Sequence, residues 1–278
     1  MVKDFTPESY SLLLSVLEER GYMFYTFERY MSMQPEGSVI LRHDVDRHPG
    51  RSLDMAELEH HRNIAASYHF RVTSGKQFQS QVPVLEKIIS MGHEIAYHYE
   101  DLSRALYKIG RSHFARIGPE DFLEGVRMAK ESFAQNLELL RQYYPVRVIS
   151  MHGDPLSSCD NRKLWDHMNY SDYGIICEPY LDLDYSSVTY LTDTGRRWDA
   201  DGANRRDRIP GSTKMADLFA GQPHATTFQI ISLIRSGIAN GPLVINTHPQ
   251  RWSGNLFVWL RELITQSIKN PVKSLTRK

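Results

Sequence analysis

The chain has 278 residues, 41% of them hydrophobic and 24% charged, which is the composition of a packed globular protein and excludes a disordered one. Its 33 basic and 33 acidic residues cancel, so overall charge gives no support to a nucleic-acid or anionic-membrane partner. Two cysteines, Cys159 and Cys177, are too few for a disulfide framework and favour a reducing compartment.

The opening Met-Val-Lys-Asp-Phe-Thr-Pro-Glu lacks the apolar core of a signal peptide, and no apolar run approaches the ~18 residues needed to span a bilayer. The expectation is a cytoplasmic protein without a transmembrane segment.

Residues 7–21 read as a helix capped by Thr6, with Leu12, Leu13, Val16 and Leu17 as its stripe. The aromatic stretch 22–30 reads as a lid or an edge. Strands are expected at 38–46, 66–72, 93–99, 146–151, 174–177, 188–191 and 242–247. Helices are expected at 52–62, 83–91, 119–144, 226–235 and 256–269. Residues 101–118 read as irregular or helical, 161–167 as a short helix, and 194–216 as a loop rich in Gly, Arg and Asp. A basic tail closes the chain. Alternating strand and helix signals argue for βα units around a parallel sheet or barrel. The organisation expected is one domain: an extension over 1–37, a barrel over 38–252, and a helix and tail over 253–278.

Several of these strands end in ionisable residues: Asp44 and Asp46, His98 with Glu100 and Asp101, His152 with Asp154, Asp193, and His248. In parallel α/β folds that edge is where sites are built. Asp44 and Asp46 are two apart on a strand, so they share a face, and they repel unless a cation or a shared proton intervenes. Such a pair suits a metal ligand beside a base. The structural alternative is pairing with Arg42 and Arg47 or capping of the next helix. A phosphatase-type Asp-x-Asp is disfavoured because Arg47 follows.

His98 and Asp46 suit zinc or another first-row divalent ion, and an open site needs a third ligand, for which Asp101 and Glu100 are the candidates. His93 faces the other way. His248 is a candidate general acid or a hydrogen-bonded rim residue; His152 is a weaker one, because His152-Gly153-Asp154-Pro155 also reads as a turn. Trp198 and Trp252 read as sugar-stacking platforms or core closures. Arg196, Arg197, Arg205 and Arg206 read as a solvated loop or an anion site.

At these residues the chain resembles the polysaccharide deacetylase (NodB homology) family, the family 4 carbohydrate esterases. The likeness lies in Asp44-Val45-Asp46, in Gly92-His93-Glu94-Ile95-Ala96-Tyr97-His98, and in Ile245-Asn246-Thr247-His248. It spans about residues 38 to 252. Arg42-His43-Asp44-Val45-Asp46 and the terminal His248-Pro249-Gln250-Arg251-Trp252 are similar to a divergent branch of that family found near lipopolysaccharide genes. Two motifs depart. Asp101 and Leu102 stand where the family's second metal histidine falls, and His152-Gly153-Asp154-Pro155 stands where its Arg-x-Pro falls.

The resemblance implies a distorted (β/α)7 barrel and metal-dependent hydrolysis of an acetamido sugar or glycan precursor in surface-polysaccharide synthesis. The metal expected is zinc, with cobalt, nickel or manganese as alternatives. Asp46, His98 and Asp101 are then the ligands, Asp44 the base and His248 the acid. His152, Asp193, Trp198, Arg251 and Trp252 are expected to contact substrate. A catalytically silent, glycan-binding barrel and a hydrolase of a non-sugar amide are the alternatives.

Overall fold

The structure, a computed structural model, describes residues 3–110, 117–153, 159–198, 226–237 and 241–275, with side chains to residue 268. Asp154, Arg205, Arg206 and most of the loop expected over 194–216 lie outside the described residues.

Seven strands form one sheet, and every pairing is parallel. They are β1 (Met23–Tyr25), β2 (Ser38–Val45), β3 (Ser67–Phe70), β4 (Glu94–Tyr99), β5 (Ile149–Met151), β6 (Thr189–Thr192) and β7 (Leu243–Thr247). The order is β5-β4-β3-β2-β7-β6, with β1 beside the first half of β2. Among the described residues no ladder joins β5 to β6; Cys177 extends the β5 edge by a single bridge to Val148. The architecture is the α/β one of a distorted, incompletely closed (β/α)7 barrel.

The helices are α1 (Pro7–Glu19), α2 (Phe27–Met33), α3 (Ser52–His60), α4 (Gly75–Ser90), α5 (Asp101–Gly110), α6 (Pro119–Arg141), α7 (Pro179–Asp182), α8 (Thr227–Ser236) and α9 (Leu256–Leu275). Local chemistry starts several of them. Thr6 and Ser9 form a reciprocal capping box on α1, and Thr226 and Gln229 do the same on α8. Four elements differ from expectation. The aromatic stretch supplies β1 and α2. Helix α4 starts at Gly75 because Ser74 caps it, and it carries Pro83 inside. The 174–177 strand shrinks to a bridge. Helix α9 continues through residues expected as a tail.

All eight residues of β2 are buried, as expected for a strand covered on both faces. Register separates its two faces into different chemistries. His43 lies beside Tyr68 on one side and Thr247 on the other. This row faces α1 and α3. There Glu59 accepts from Tyr10 (2.5 Å) and Tyr68 (2.7 Å) and lies 2.8 Å from His43 Nε2. His43 Nδ1 reaches Thr247 Oγ1 at 2.6 Å. Arg42 and Asp44 face the opposite way, into the barrel.

Glu59 is fully buried, so removing it leaves three polar partners stranded. Glu59→Ala is expected to cost about 3–5 kcal/mol in denaturant unfolding at neutral pH. Burial raises the Glu59 carboxyl, but His43 and then His93 outweigh it and hold the group below its ordinary value. A depressed carboxyl stabilises above its unfolded pKa and loses that contribution as pH falls through the folded one. Wild type is therefore expected to lose stability faster than Glu59→Gln below about pH 4.5. Parallel acid-unfolding curves would contradict this.

Candidate metal-dependent active site

The C-terminal ends of β2, β3, β4, β5, β6 and β7 meet at one edge of the sheet, because the strands are all parallel. Asp44 lies in register with His69, and His69 with Ala96. Those positions share the inner face, and Asp46, His98 and His152 lie beyond them toward the rim.

Asp44 is 3% exposed and is held from three directions. Arg42 binds it through both carboxylate oxygens, Nε to Oδ1 at 2.8 Å and Nη2 to Oδ2 at 3.0 Å. Asn246 Nδ2 donates to Oδ2 at 2.9 Å. His98 Nε2 and His248 Nε2 stand 3.8 and 3.9 Å from the same oxygen. Burial raises this carboxyl, but Arg42, then His98 and His248, overrule it and hold it well below the carboxylate range. The structural pairing with Arg42 is thus present within the site itself.

Asp46 is different: Oδ1 is buried and has no hydrogen-bond partner among the described residues. His98 Nε2 is 3.6 Å from it and His152 Nε2 3.7 Å. A tetrahedral site with bonds of about 2.0–2.1 Å sets its donors roughly 3.4 Å apart. The two oxygen-to-nitrogen distances are therefore close to those that a first-row divalent ion sets, and all three donors lie within 4.8 Å of one another.

Each histidine's other nitrogen has an oxygen beside it. His98 Nδ1 donates to the Ser150 carbonyl at 3.0 Å, and His152 Nδ1 lies 2.9 Å from Glu100 Oε2. Metal-binding imidazoles are ordinarily oriented in this way. Glu100 is itself gripped by Arg71 at 2.6 Å and Arg104 at 3.3 Å. Burial brings His98 down to about 4, so its Nε2 offers a lone pair. Burial also lowers His152, but Asp46 and Glu100 outweigh it and hold it above the ordinary range.

The expected third ligands are elsewhere. Asp101 sits at the first position of α5 with its carboxylate turned to α6, accepting from Tyr97 (2.6 Å), Ser132 (2.6 Å) and Asn136 (2.9 Å). Glu100 holds a candidate ligand without joining the cluster. His152, expected to touch substrate, takes the position instead.

His248 points Nε2 between the two aspartates, 3.9 Å from each. Its Nδ1 donates to Asp193 Oδ1 at 2.6 Å, and its backbone N–H donates to Asp193 Oδ2 at 3.0 Å. Asp193 is fixed in turn by Arg251 (2.7 Å) and Trp252 Nε1 (2.7 Å). Asp193, Arg251 and Trp252, expected as substrate contacts, therefore orient an imidazole. Trp198 is fully buried, bonded to Thr227 and packed against Phe5 and Trp252, so neither tryptophan presents a ring face to a sugar. Among the described members of the arginine run, Arg196 donates to the Trp259 carbonyl of α9 at 2.9 Å.

Sequence patterns missed His69. It is fully buried, neither ring nitrogen has a hydrogen-bond partner among the described residues, and with Asp44 and His98 it forms a second three-donor group. Burial and Arg42 hold it well below the ordinary histidine range. The guanidinium beside Asp44 makes this second group the poorer cation site. The signal for His69 was its register with Asp44, which appears only once the strands are paired.

No family model matches the chain, and no curated protein matches it. Among solved structures, the chain is similar to a family 4 carbohydrate esterase from Bacillus anthracis, at 11% identity over 92% of this chain and 85% of that one, with a TM-score of 0.37. A Streptococcus mutans CE4 esterase matches at 16% identity over 83% and 94%, TM-score 0.41. A peptidoglycan deacetylase from Bacillus subtilis matches at 10% identity over 86% and 95%, TM-score 0.34. At these scores the likenesses carry no argument about the site, which rests on the residues above.

Burial pushes the Asp101 carboxyl up to about 6 against the hydrogen bonds that it accepts. A raised carboxyl contributes stability below its unfolded pKa and loses it as pH rises through the folded value. Urea midpoints of wild type are therefore expected to fall between about pH 4 and 6 relative to those of Asp101→Asn. Parallel midpoints across that window would contradict the assignment.

Proposed function

We propose that the chain is a metal-dependent hydrolase of a C–N amide bond, acting as an N-deacetylase on an acetamido sugar or glycan precursor. The observation that carries the chemistry is the convergence of Asp46 Oδ1, His98 Nε2 and His152 Nε2 beside an arginine-bound carboxylate and an aspartate-bound histidine. The sugar substrate is supported by the likeness of Asp44-Val45-Asp46, Gly92 to His98 and Ile245 to His248 to the polysaccharide deacetylase motifs. Surface-polysaccharide synthesis is supported by the further likeness of Arg42 to Asp46 and His248 to Trp252.

The buried, unpartnered Asp46 Oδ1 and the two nitrogens facing it fit a divalent ion, with zinc the best match to one carboxylate and two imidazoles. Such an ion, when bound, supplies Lewis acidity toward a carbonyl and lowers the pKa of water.

The chain's own groups do the rest. Asp44 is ionised across the working pH range and accepts the proton of the attacking water at Oδ2. Arg42 and Asn246 keep that oxygen aimed and limit how far the proton settles there. His248 delivers a proton from Nε2 to the departing amine nitrogen, and Asp193 steadies the imidazolium while it carries that proton. Arg251 and Trp252 keep Asp193 from rotating away. Glu100 fixes the ring of His152 through Nδ1.

Incubation with acetamido sugars, sugar nucleotides, lipid-linked precursors and glycan polymers, read as free amine and acetate, tests the activity. Amine release from a sugar nucleotide or lipid-linked acetamido sugar is expected. Deacetylation of polymer alone would overturn the precursor assignment, and turnover of ureides alone would overturn the sugar. Asp44→Asn and His248→Gln are each expected to lower kcat about 10²–10⁴-fold in the folded protein. Glu100→Gln is expected to weaken zinc binding about 10–100-fold in calorimetric titration. Unchanged zinc affinity would remove Glu100 from its orienting role.

A further inference from the structure

Arg42 and Asn246 lie in register on β2 and β7, are fully buried, and both hold Asp44. Each has an atom left over. Arg42 binds Asp44 through Nε and Nη2, and its Nη1 has no hydrogen-bond partner among the described residues. Asn246 donates from Nδ2 to Asp44 Oδ2 at 2.9 Å and to Tyr190 Oη at 3.0 Å, and its Oδ1 has no such partner either. An ionised carboxylate only accepts, so Asp44 fixes which end of the amide faces it and leaves the amide oxygen on the other side.

The third such atom is the Tyr185 hydroxyl. Tyr185 lies between α7 and β6, on the flank where β5 and β6 share no ladder among the described residues. It is buried, its ring meets that of Tyr190 edge-on at 6.0 Å, and its hydroxyl has no hydrogen-bond partner among the described residues. Tyr190 is the tyrosine to which Asn246 donates. The Arg42 guanidinium lies 5.2 Å from the centre of the Tyr180 ring, and the Tyr180 hydroxyl is 3.4 Å from that of Tyr190. Arg42 and Tyr185 are within electrostatic reach of each other. The three atoms therefore belong to one neighbourhood inside the barrel, beside Tyr190.

Their chemistry chooses the occupant. A guanidinium nitrogen only donates, an amide oxygen only accepts, and a phenol does both. An anion would meet the Asn246 oxygen and Asp44 close by. A cation would meet Arg42, whose charge is already matched by Asp44. A neutral molecule that donates and accepts at once suits all three. The tyrosine rings and the buried strands around it demand that it be small. Buried polar groups are ordinarily hydrogen-bonded, and a buried water typically makes about three such bonds.

We propose that Arg42 Nη1, Asn246 Oδ1 and Tyr185 Oη form a binding site for one ordered water molecule. It accepts from Arg42, donates to Asn246 and bonds with Tyr185. The water completes the two side chains that hold Asp44 and couples them to the segment between α7 and β6. The proposal is independent of the amide-hydrolysis assignment.

The test is a crystal structure of wild type in which waters are visible, metal-free and zinc-loaded, beside urea unfolding of wild type and Tyr185→Phe. A water within hydrogen-bonding distance of all three atoms is expected in both crystals, so the outcome depends neither on the metal nor on the reaction. A bromide soak is expected to leave the place unlabelled. Tyr185→Phe keeps the ring, removes one hydroxyl and touches no group of the catalytic machinery. It is expected to unfold at lower urea, because the water loses a partner. The wild-type crystals test the proposal even if that variant fails to fold. No water on Arg42 Nη1 and Asn246 Oδ1 would overturn it, as would bromide bound there. So would a Tyr185→Phe midpoint at or above that of wild type, the result of removing a buried hydroxyl that bonds to nothing.

Discussion

Two carboxylates two residues apart at the buried end of a strand repel each other, and most of the site follows from how that repulsion is met. Asp44 is neutralised permanently by Arg42 on its own strand, through both oxygens. Asp46 has no such partner among the described residues; its buried Oδ1 accepts no hydrogen bond from them and faces two imidazole nitrogens at 3.6 and 3.7 Å. One member of the pair is thus a committed anion and the other waits for a cation. That division needs strand β2 covered on both faces. It is achieved by placing an all-protein polar network, His43 with Glu59 and Thr247, directly behind the site.

Three of the four histidines around the aspartates share one construction. Each has Nδ1 beside an oxygen acceptor: the Ser150 carbonyl for His98, the Glu100 carboxylate for His152, and the Asp193 carboxylate for His248. Each therefore turns Nε2 inward. The acceptors differ in charge. A neutral carbonyl and deep burial leave His98 with a lone pair. The Asp193 carboxylate behind His248 fixes which ring nitrogen faces the aspartates.

Much of this was legible in the sequence. Period-two spacing put Asp44 and Asp46 on one face, and apolar runs ending in ionisable residues marked the correct edge of the sheet. What spacing could not reveal was pairing between strands. The third donor was sought near His98, at Asp101 or Glu100, because local spacing is all that a sequence displays. In the proposed site it is His152, 54 residues on, brought alongside by the β4–β5 ladder, in which His98 pairs with Ser150. Asp101 is drawn off by Ser132 and Asn136 of a helix whose position no local pattern gives. His69 sits within an aromatic strand and becomes visible only through its register with Asp44. Trp198 and Trp252 read as binding platforms or as core closures, and their rings pack against Phe5 in the core.

The central claim is that His152, and not Asp101, completes the metal site with Asp46 and His98. Elemental analysis of zinc-loaded, gel-filtered protein tests it most directly, with wild type beside His152→Ala and Asp101→Asn. About one zinc per chain is expected in wild type and in Asp101→Asn, with loss in His152→Ala, as a three-ligand site requires. Zinc retained by His152→Ala and lost from Asp101→Asn would contradict the account.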